Sequence, residues 1–394
     1  MNNTINTPLL FTPMKLGAIT LRNRVVVSPM CQYASERDAG PTDYHLVHLG
    51  QFAMGGAGLI FCEETAIEDR GRKSYHCAGI YDDKHLAKYR RINDFLRTHG
   101  ALPAIQLGHG GRKGSGRPPW DGYRQLTPDD ALHGEVPWQT ISSSEIPAGV
   151  KDPAPHSLTA TEIKEVVAHW REAALRAADA GYDVVEIHAA HGYLIHQFLS
   201  PLVNKRNDAY GGDLHGRMRF CMEIIEAVRD AWPKEKPVFL RISAVDGSGD
   251  AWTLDDTVTL AVEAKARGIE VFTPSSGGIG GAGSATVVPR RPGYHVPFST
   301  RVRKDAAIKT IAVGLITEAH QAEQIVQDGA ADLIGIAREF LWNPYWAVHA
   351  ARELGVANYH DLLPRTYGWW LKRRDEILEV TRQATQFDIA PPAK

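Results

Sequence analysis

The chain has 394 residues, enough for a large core, and its 43% hydrophobic and 23% charged content is ordinary globular usage. With 44 Lys and Arg against 46 Asp and Glu, the formal net charge of −2 gives no electrostatic reason to expect nucleic acid or an anionic membrane as a partner. The four cysteines, Cys31, Cys62, Cys77 and Cys221, match neither a disulfide framework nor a CxxC metal or iron–sulfur pattern, which fits a reducing compartment.

In chain order, residues 10–23, turning at Gly17–Ala18–Ile19–Thr20, predict a hairpin that closes the bottom of a barrel. The N-terminal residues lack a basic segment followed by an apolar one, and no apolar run nears the roughly 18 residues of a membrane span, so the expected location is cytoplasmic. Short apolar, β-rich runs at 25–29, 59–62, 102–107, 184–188, 238–242, 270–273, 310–313 and 333–336 read as eight strands buried on both faces. Amphipathic stretches at 160–181, 217–231, 257–268, 318–329 and 345–354 read as helices. Asp255, Asp256 and Thr317 serve as starts, and Gly181, Gly268 and Gly329 as stops. This alternation implies a parallel sheet.

Eight strand–helix units fit a closed (β/α)₈ TIM barrel better than a doubly wound sheet. A dinucleotide fold wants G-x-G-x-x-G after its first strand. Here Gly277, Gly278, Gly280, Gly281 and Gly283 follow the sixth, so they read as a loop at the barrel mouth. The expectation is one domain over residues 1–394, with the barrel at about 24–355 and a long Gly-, Pro- and Trp-rich insertion (108–158) after strand three. Residues 362–394 form a tail that opens with Trp369, Trp370, Lys372, Arg373 and Arg374 and reads as a docking segment.

Active sites of such barrels lie at the C-terminal ends of the strands. Strand four ends in His188, His191 and Tyr193. These histidines read as structural groups, as metal ligands, or as a clamp of two N–H donors on an oxygen gaining negative charge. No further His, Asp or Glu cluster completes a metal site, so the clamp is the better reading, with Tyr193 as proton donor. Strand one ends in Ser28, Pro29, Met30, Cys31 and Tyr33; Cys31 reads as a nucleophile, a cofactor contact or an inert thiol. Strand three carries Gln106, His109, Arg112 and Lys113, and strand five carries Arg241 and Ser243. A cation ending an apolar strand calls for an anionic partner, either an internal carboxylate or a cofactor. Gly314 after strand seven and Arg338 after strand eight suit the phosphate site common to these barrels. With Arg241 they argue for a phosphorylated, partly anionic cofactor across the barrel top.

These motifs together resemble the old yellow enzyme family of flavin-dependent ene-reductases, from about residue 10 to 370. The resemblance is most specific at Ser28–Pro29–Met30–Cys31–Gln32–Tyr33, at Gln106–Leu107–Gly108–His109–Gly110–Gly111–Arg112–Lys113 and at Glu186–Ile187–His188–Ala189–Ala190–His191–Gly192–Tyr193. Phe198–Leu199–Ser200–Pro201 and the run from Asn204 to Gly212 add to it, and Cys31 after Ser-Pro-Met points to the bacterial, thermophilic-like branch. The resemblance implies FMN at the mouth, near Ser28, Pro29, Met30, Cys31 and Gln106, with Cys31 tuning its potential. It places Arg241 at the N1/O2 edge, and Gly314, Ala337 and Arg338 on the phosphate. It gives His188 and His191 the substrate's electron-withdrawing oxygen, Tyr33 the pocket wall and Tyr193 the proton. NADPH or NADH would reduce the flavin, which would then reduce an α,β-unsaturated carbonyl or similar activated alkene.

The sequence departs from that pattern in three places. Glu64 stands where a small residue commonly lies beside the flavin, and it would repel the reduced anion, turn away, or engage a basic substrate group. Ala337 replaces a glycine, which a negative φ would tolerate. Residues 364–370, with Arg365, Trp369 and Trp370, resemble a segment that relatives insert into a partner subunit, implying a homodimer or homotetramer. Two other functions compete: cluster-free oxidation of an amine or ring substrate on the same barrel, for which Glu64 is the reason, and a non-catalytic flavin carrier.

Overall fold

The computed structural model describes residues 7–122, 124–247, 251–280 and 288–381. Gly281, Gly283 and residues 382–394 of the tail lie outside the described residues. The strands are β1 (Met14–Leu16), β2 (Ile19–Leu21), β3 (Val25–Val27), β4 (Leu59–Ala66), β5 (Leu102–Gly108), β6 (Ile141–Ser142), β7 (His156–Ser157), β8 (Val184–Ala189), β9 (Val238–Ser243), β10 (Ile269–Ser275), β11 (Lys309–Ala312) and β12 (Leu333–Ile336). Eight of them close a parallel barrel in the order β3-β4-β5-β8-β9-β10-β11-β12. All eight expected strands are present.

Side chains alternate along each strand. Val26, Leu59, Phe61, Ala104, Val184, Phe239, Val271, Ile311 and Leu333 form an inner core, while their neighbours pack outward against the helices. Met14, Leu16 and Leu21 of the β1–β2 hairpin join that inner core, so the hairpin plugs the barrel from below. Its turn needs Gly17: φ is +53°, and a Cβ there would sit 2.5 Å from the Glu235 carbonyl oxygen.

The helices Ala160–Asp179, Leu214–Ala231, Leu254–Ala266, Ala319–Gln327 and Trp346–Glu353 fall where periodicity puts them. Several starts are capped further upstream than expected, for example by Thr253, whose hydroxyl accepts from the Asp256 amide. Helices at Asp43–Met54, Leu86–Thr98 and Val296–Asp305 complete the outer ring. The insertion holds short 3₁₀ turns and the two-residue parallel pair β6–β7.

Two strand ends differ from expectation. β3 stops at Val27 because Pro29 has no N–H to continue a ladder. β4 runs on to Ala66 through a register shift between Cys62 and Glu64. That bulge turns Glu63 outward, where it accepts from His45 and from the Gln32 amide (3.1 and 3.0 Å), and brings Glu64 opposite Gln106 on the inner face.

The tail forms the helix Arg365–Thr381. It leaves from the bottom of the barrel, where Arg22, just before β3, donates to the Leu362 carbonyl. Tyr359 and His360 both bond to Asp375 of this helix. Trp369 and Trp370 remain 54% and 68% exposed.

Candidate functional site

The inward positions of neighbouring strands stack into a polar layer above the apolar core. In register, His188 of β8 lies beside Arg241 of β9, which lies beside Thr273 of β10. One step lower, Glu186 is buried and accepts from Gln106 Nε2 (2.7 Å) and Thr273 Oγ1 (2.8 Å). Burial pushes the Glu186 carboxyl upward in pKa, and the Arg241 charge opposes that shift. Arg241 forms no ion pair with a described residue, and its buried Nε has no hydrogen-bond partner among them. The guanidinium therefore has an internal carboxylate below it and an unmet donor.

Beyond β8 the chain turns sharply, with His191 at φ +58°. A bulky residue there is strained, by about 1–2 kcal/mol, and its surroundings hold it. The His191 amide donates to Ser243 Oγ (2.9 Å), and Lys113 Nζ donates to the His191 carbonyl (2.8 Å). The next amide, of Gly192, donates to His196 Nδ1 (2.9 Å), which leaves His196 Nε2–H to donate to Asp246 (2.7 Å). Asp246 also accepts from Ser200 Oγ (2.5 Å). This buried chain of bonds fixes the turn that carries Tyr193.

His191 Nδ1 and His188 Nε2 are 3.2 Å apart, and His191 Nε2 is 3.0 Å from Ser275 Oγ. Burial lowers both histidine pKa values well below the ordinary 6.5, with neighbouring positive charge adding to it, so both rings are neutral at pH 7. If Ser275 donates to Nε2, the His191 proton sits on Nδ1. His188 Nε2–H and His191 Nδ1–H can then meet on a single acceptor oxygen. In the 3.2 Å contact between the two rings one nitrogen donates and the other accepts, so the pair can donate twice only where each ring carries its own N–H toward that oxygen. The Tyr193 ring stands edge-on to His188 at 5.2 Å.

Two cavities flank this layer. One, of about 380 Å³, is lined by Ser28, Arg241, Ser275, Gly314, Ala337 and Arg338 among others. Gly314, at φ +107°, lies against His295, whose imidazole is held neutral by burial, with a pKa near 3. Ala337 has φ −115°, so its methyl is tolerated. The other cavity, of about 290 Å³, is lined by Tyr33, Lys73, Lys113, Arg117, Arg124 and Tyr193 among others.

Pro29, Met30 and Cys31 are partly buried on the loop leading away from Ser28. Burial raises the Cys31 thiol to about 11, with Lys73 opposing, so it is a neutral thiol at pH 7. Glu64 and Gln106 are only 4% and 2% exposed and line neither cavity. Glu64 pairs with Lys73 Nζ, so its charge is met within the chain. Lys73, Ser275, Tyr294 and His295 were not singled out by sequence. Ser275 sits two residues past the sixth strand as read and Lys73 nine residues past Glu64, but their roles depend on contacts across the barrel.

The model of the NADH:flavin oxidoreductase / NADH oxidase family matches residues 9–356. The chain belongs to that family. It is 41% identical over 353 residues to an NADPH dehydrogenase of Geobacillus thermodenitrificans (strain NG80-2), covering 88% of this chain and 95% of that one. To an NADPH dehydrogenase of Listeria monocytogenes serotype 4a (strain HCC23) it is 43% identical over 347 residues, with the same coverage. Among solved structures, morphinone reductase in complex with tetrahydroNAD superposes with a TM-score of 0.71 at 26% identity, covering 88% of this chain and 91% of that one. A 2-naphthoyl-CoA reductase shares the fold, with a TM-score of 0.79 at 22% identity over 92% of this chain and 54% of that one.

As a member of the old yellow enzyme family, the protein is an NAD(P)H-dependent flavin oxidoreductase that uses FMN. The residues fit that cofactor: a cavity edged by Arg241 and Gly314 combines an unmet buried guanidinium donor with close backbone approach. No helix among the described residues is long and apolar enough to cross a membrane.

Proposed function

We propose that this oxidoreductase reduces the C=C bond of an α,β-unsaturated carbonyl or similar activated alkene. The observation that carries the reading is the neutral His188–His191 pair beside Tyr193, next to the cavity walled by Tyr33 and Tyr193. Ser28, Pro29, Met30, Cys31, Arg241, Gly314, Ala337 and Arg338 would hold FMN, with Gln106 acting from below through Glu186. Bound there, FMN would supply two-electron hydride chemistry between the nicotinamide and the alkene's β-carbon.

His188 and His191 turn from each other to a carbonyl oxygen that gains negative charge, each donating its one ring N–H to it. Tyr193 gives its phenolic proton to the α-carbon; a phenol of pKa about 10 is acid enough for so basic a centre. The tyrosinate then recovers a proton from water. Arg241 offsets negative charge on the cofactor side.

Amine or ring oxidation rested on Glu64 as partner to a basic substrate group, and with Lys73 on that carboxylate the reading has less support. Trp369 and Trp370, exposed on the tail, support docking on a second copy in a homodimer or homotetramer, and we place the enzyme in the cytoplasm.

Purified protein should be yellow and bleach anaerobically with NADPH or NADH, and 2-cyclohexenone should restore the oxidised spectrum. Tyr193→Phe should keep reduction by nicotinamide but slow reoxidation by about 10²-fold or more. Equal loss in both half-reactions removes Tyr193 from the donor role, and failure of every activated alkene to reoxidise the flavin overturns the proposal.

A further inference from the structure

The cavity beside Tyr193 has an uneven charge lining. Lys73, Lys113, Arg117 and Arg124 face it against one carboxylate, Asp152. Behind this wall Glu64 holds Lys73, and Asp130 is shared by Arg117 Nε (2.9 Å) and Arg124 Nη1 (2.6 Å). Glu135 lies 3.6 Å from Arg117. Lys113 has no carboxylate partner among the described residues: it donates to the carbonyls of His191 and Gly278, with its ammonium 5.7 Å from the centre of the Tyr193 ring. Lys73 stands 5.2 Å from the same ring. A largely enclosed ammonium on carbonyls alone is costly, and an incoming anion lowers that cost.

We infer that the acceptor for which this cavity is shaped carries a carboxylate on the side remote from its electron-withdrawing oxygen. This rests on the ene-reduction reading above. The oxygen lies on His188 and His191, the alkene near Tyr193, and the carboxylate toward Lys113 and Lys73, with Arg117 and Arg124 at the outer rim. Three N–H donors on each ammonium leave room for such a ligand beside the bonds already made.

The test compares 4-oxocyclohex-2-ene-1-carboxylate with its methyl ester as oxidants of the NADPH-reduced holoenzyme under anaerobic stopped flow. The carboxyl group sits on a saturated carbon, so both compounds carry the same enone. The acid should reoxidise the flavin at least tenfold more efficiently per mole than the ester, the size expected of one charge-assisted hydrogen bond. That ratio should fall toward one in Lys113→Met and, as a rim variant that leaves the His191 turn untouched, in Arg124→Met.

An acid:ester ratio of one or below in the parent, or a ratio unmoved in both variants, overturns the inference. So does a result in which the variants alter only the NADPH:NADH ratio of flavin reduction, since the cavity would then read the coenzyme's phosphate. If neither compound reoxidises a flavin that NADPH has bleached, the fault lies with ene-reduction itself.

Discussion

Replacing Ser275 by alanine tests whether a hydroxyl sets the proton position on His191. Ser275 Oγ lies 3.0 Å from His191 Nε2, and the residue is 4% exposed, so water does not readily take its place. A hydrogen bond of this kind is worth about 0.5–1.5 kcal/mol net. At 1.36 kcal/mol per tenfold in rate, its loss should slow reoxidation by 2-cyclohexenone roughly two- to tenfold. Anaerobic stopped flow at pH 7 measures the rate, and imidazole ¹⁵N shifts report the cause: the His191 signal should move from a pure Nδ1–H form toward a mixture of tautomers. An unchanged rate with an unchanged ¹⁵N pattern refutes the assignment. A slower rate without any tautomer change assigns Ser275 a merely steric role.

Other expectations concern charge and backbone. Glu64→Ala leaves Lys73 buried and unpaired, so the guanidinium chloride midpoint should fall by the equivalent of about 3–5 kcal/mol, and Glu64→Ala/Lys73→Ile should recover most of it; a single variant as stable as the parent sinks this account. Since the His188 and His191 pKa values lie well below 6.5, reoxidation by a neutral enone should be flat from pH 6 to 8, whereas a limb near pH 6.5 would show a protonated ring in the working state. Burial, then Arg112, brings Lys113 down to about 8. The ammonium, near Lys73, His191 and Asp152, is lost as pH rises through that value, so any acid preference should weaken between pH 7 and 9. Ala337→Gly should change FMN affinity by less than about twofold, because φ at 337 is already negative; a tenfold gain would mean that the methyl obstructs the cofactor.

The barrel was legible because both-face burial writes unbroken apolar runs, and 184–188 or 238–242 reads as strand with no tertiary knowledge. The helices Asp43–Met54 and Leu86–Thr98 were not read from sequence. The first carries three polar or small breaks in its apolar face, His45, His48 and Gly50, each buried against a specific neighbour instead of water. Arg241 was legible as a cation in need of an anion, and the structure supplies Glu186 nearby while leaving its Nε unmet. From sequence alone Glu64 could repel the reduced flavin, turn away or engage a basic substrate group, and the Lys73 contact was not among these readings. Its partner Lys73 is nine positions away, and only the bulge at Glu63 makes them meet, a backbone event with no residue signature of its own. Ser275 is likewise invisible in one dimension, since its hydroxyl matters only because β8 and β10 flank β9.

The hairpin of Met14–Leu16 and Ile19–Leu21 stoppers the barrel's lower end with Met14, Leu16 and Leu21. Among the described residues this leaves small molecules one doorway, the mouth at the C-terminal ends of the strands. A nicotinamide and an alkene that react through the same buried group must take turns at it, each barring the other while inside. Initial-rate plots should accordingly give parallel lines, and an excess of either reactant should throttle turnover by occupying the entrance out of turn.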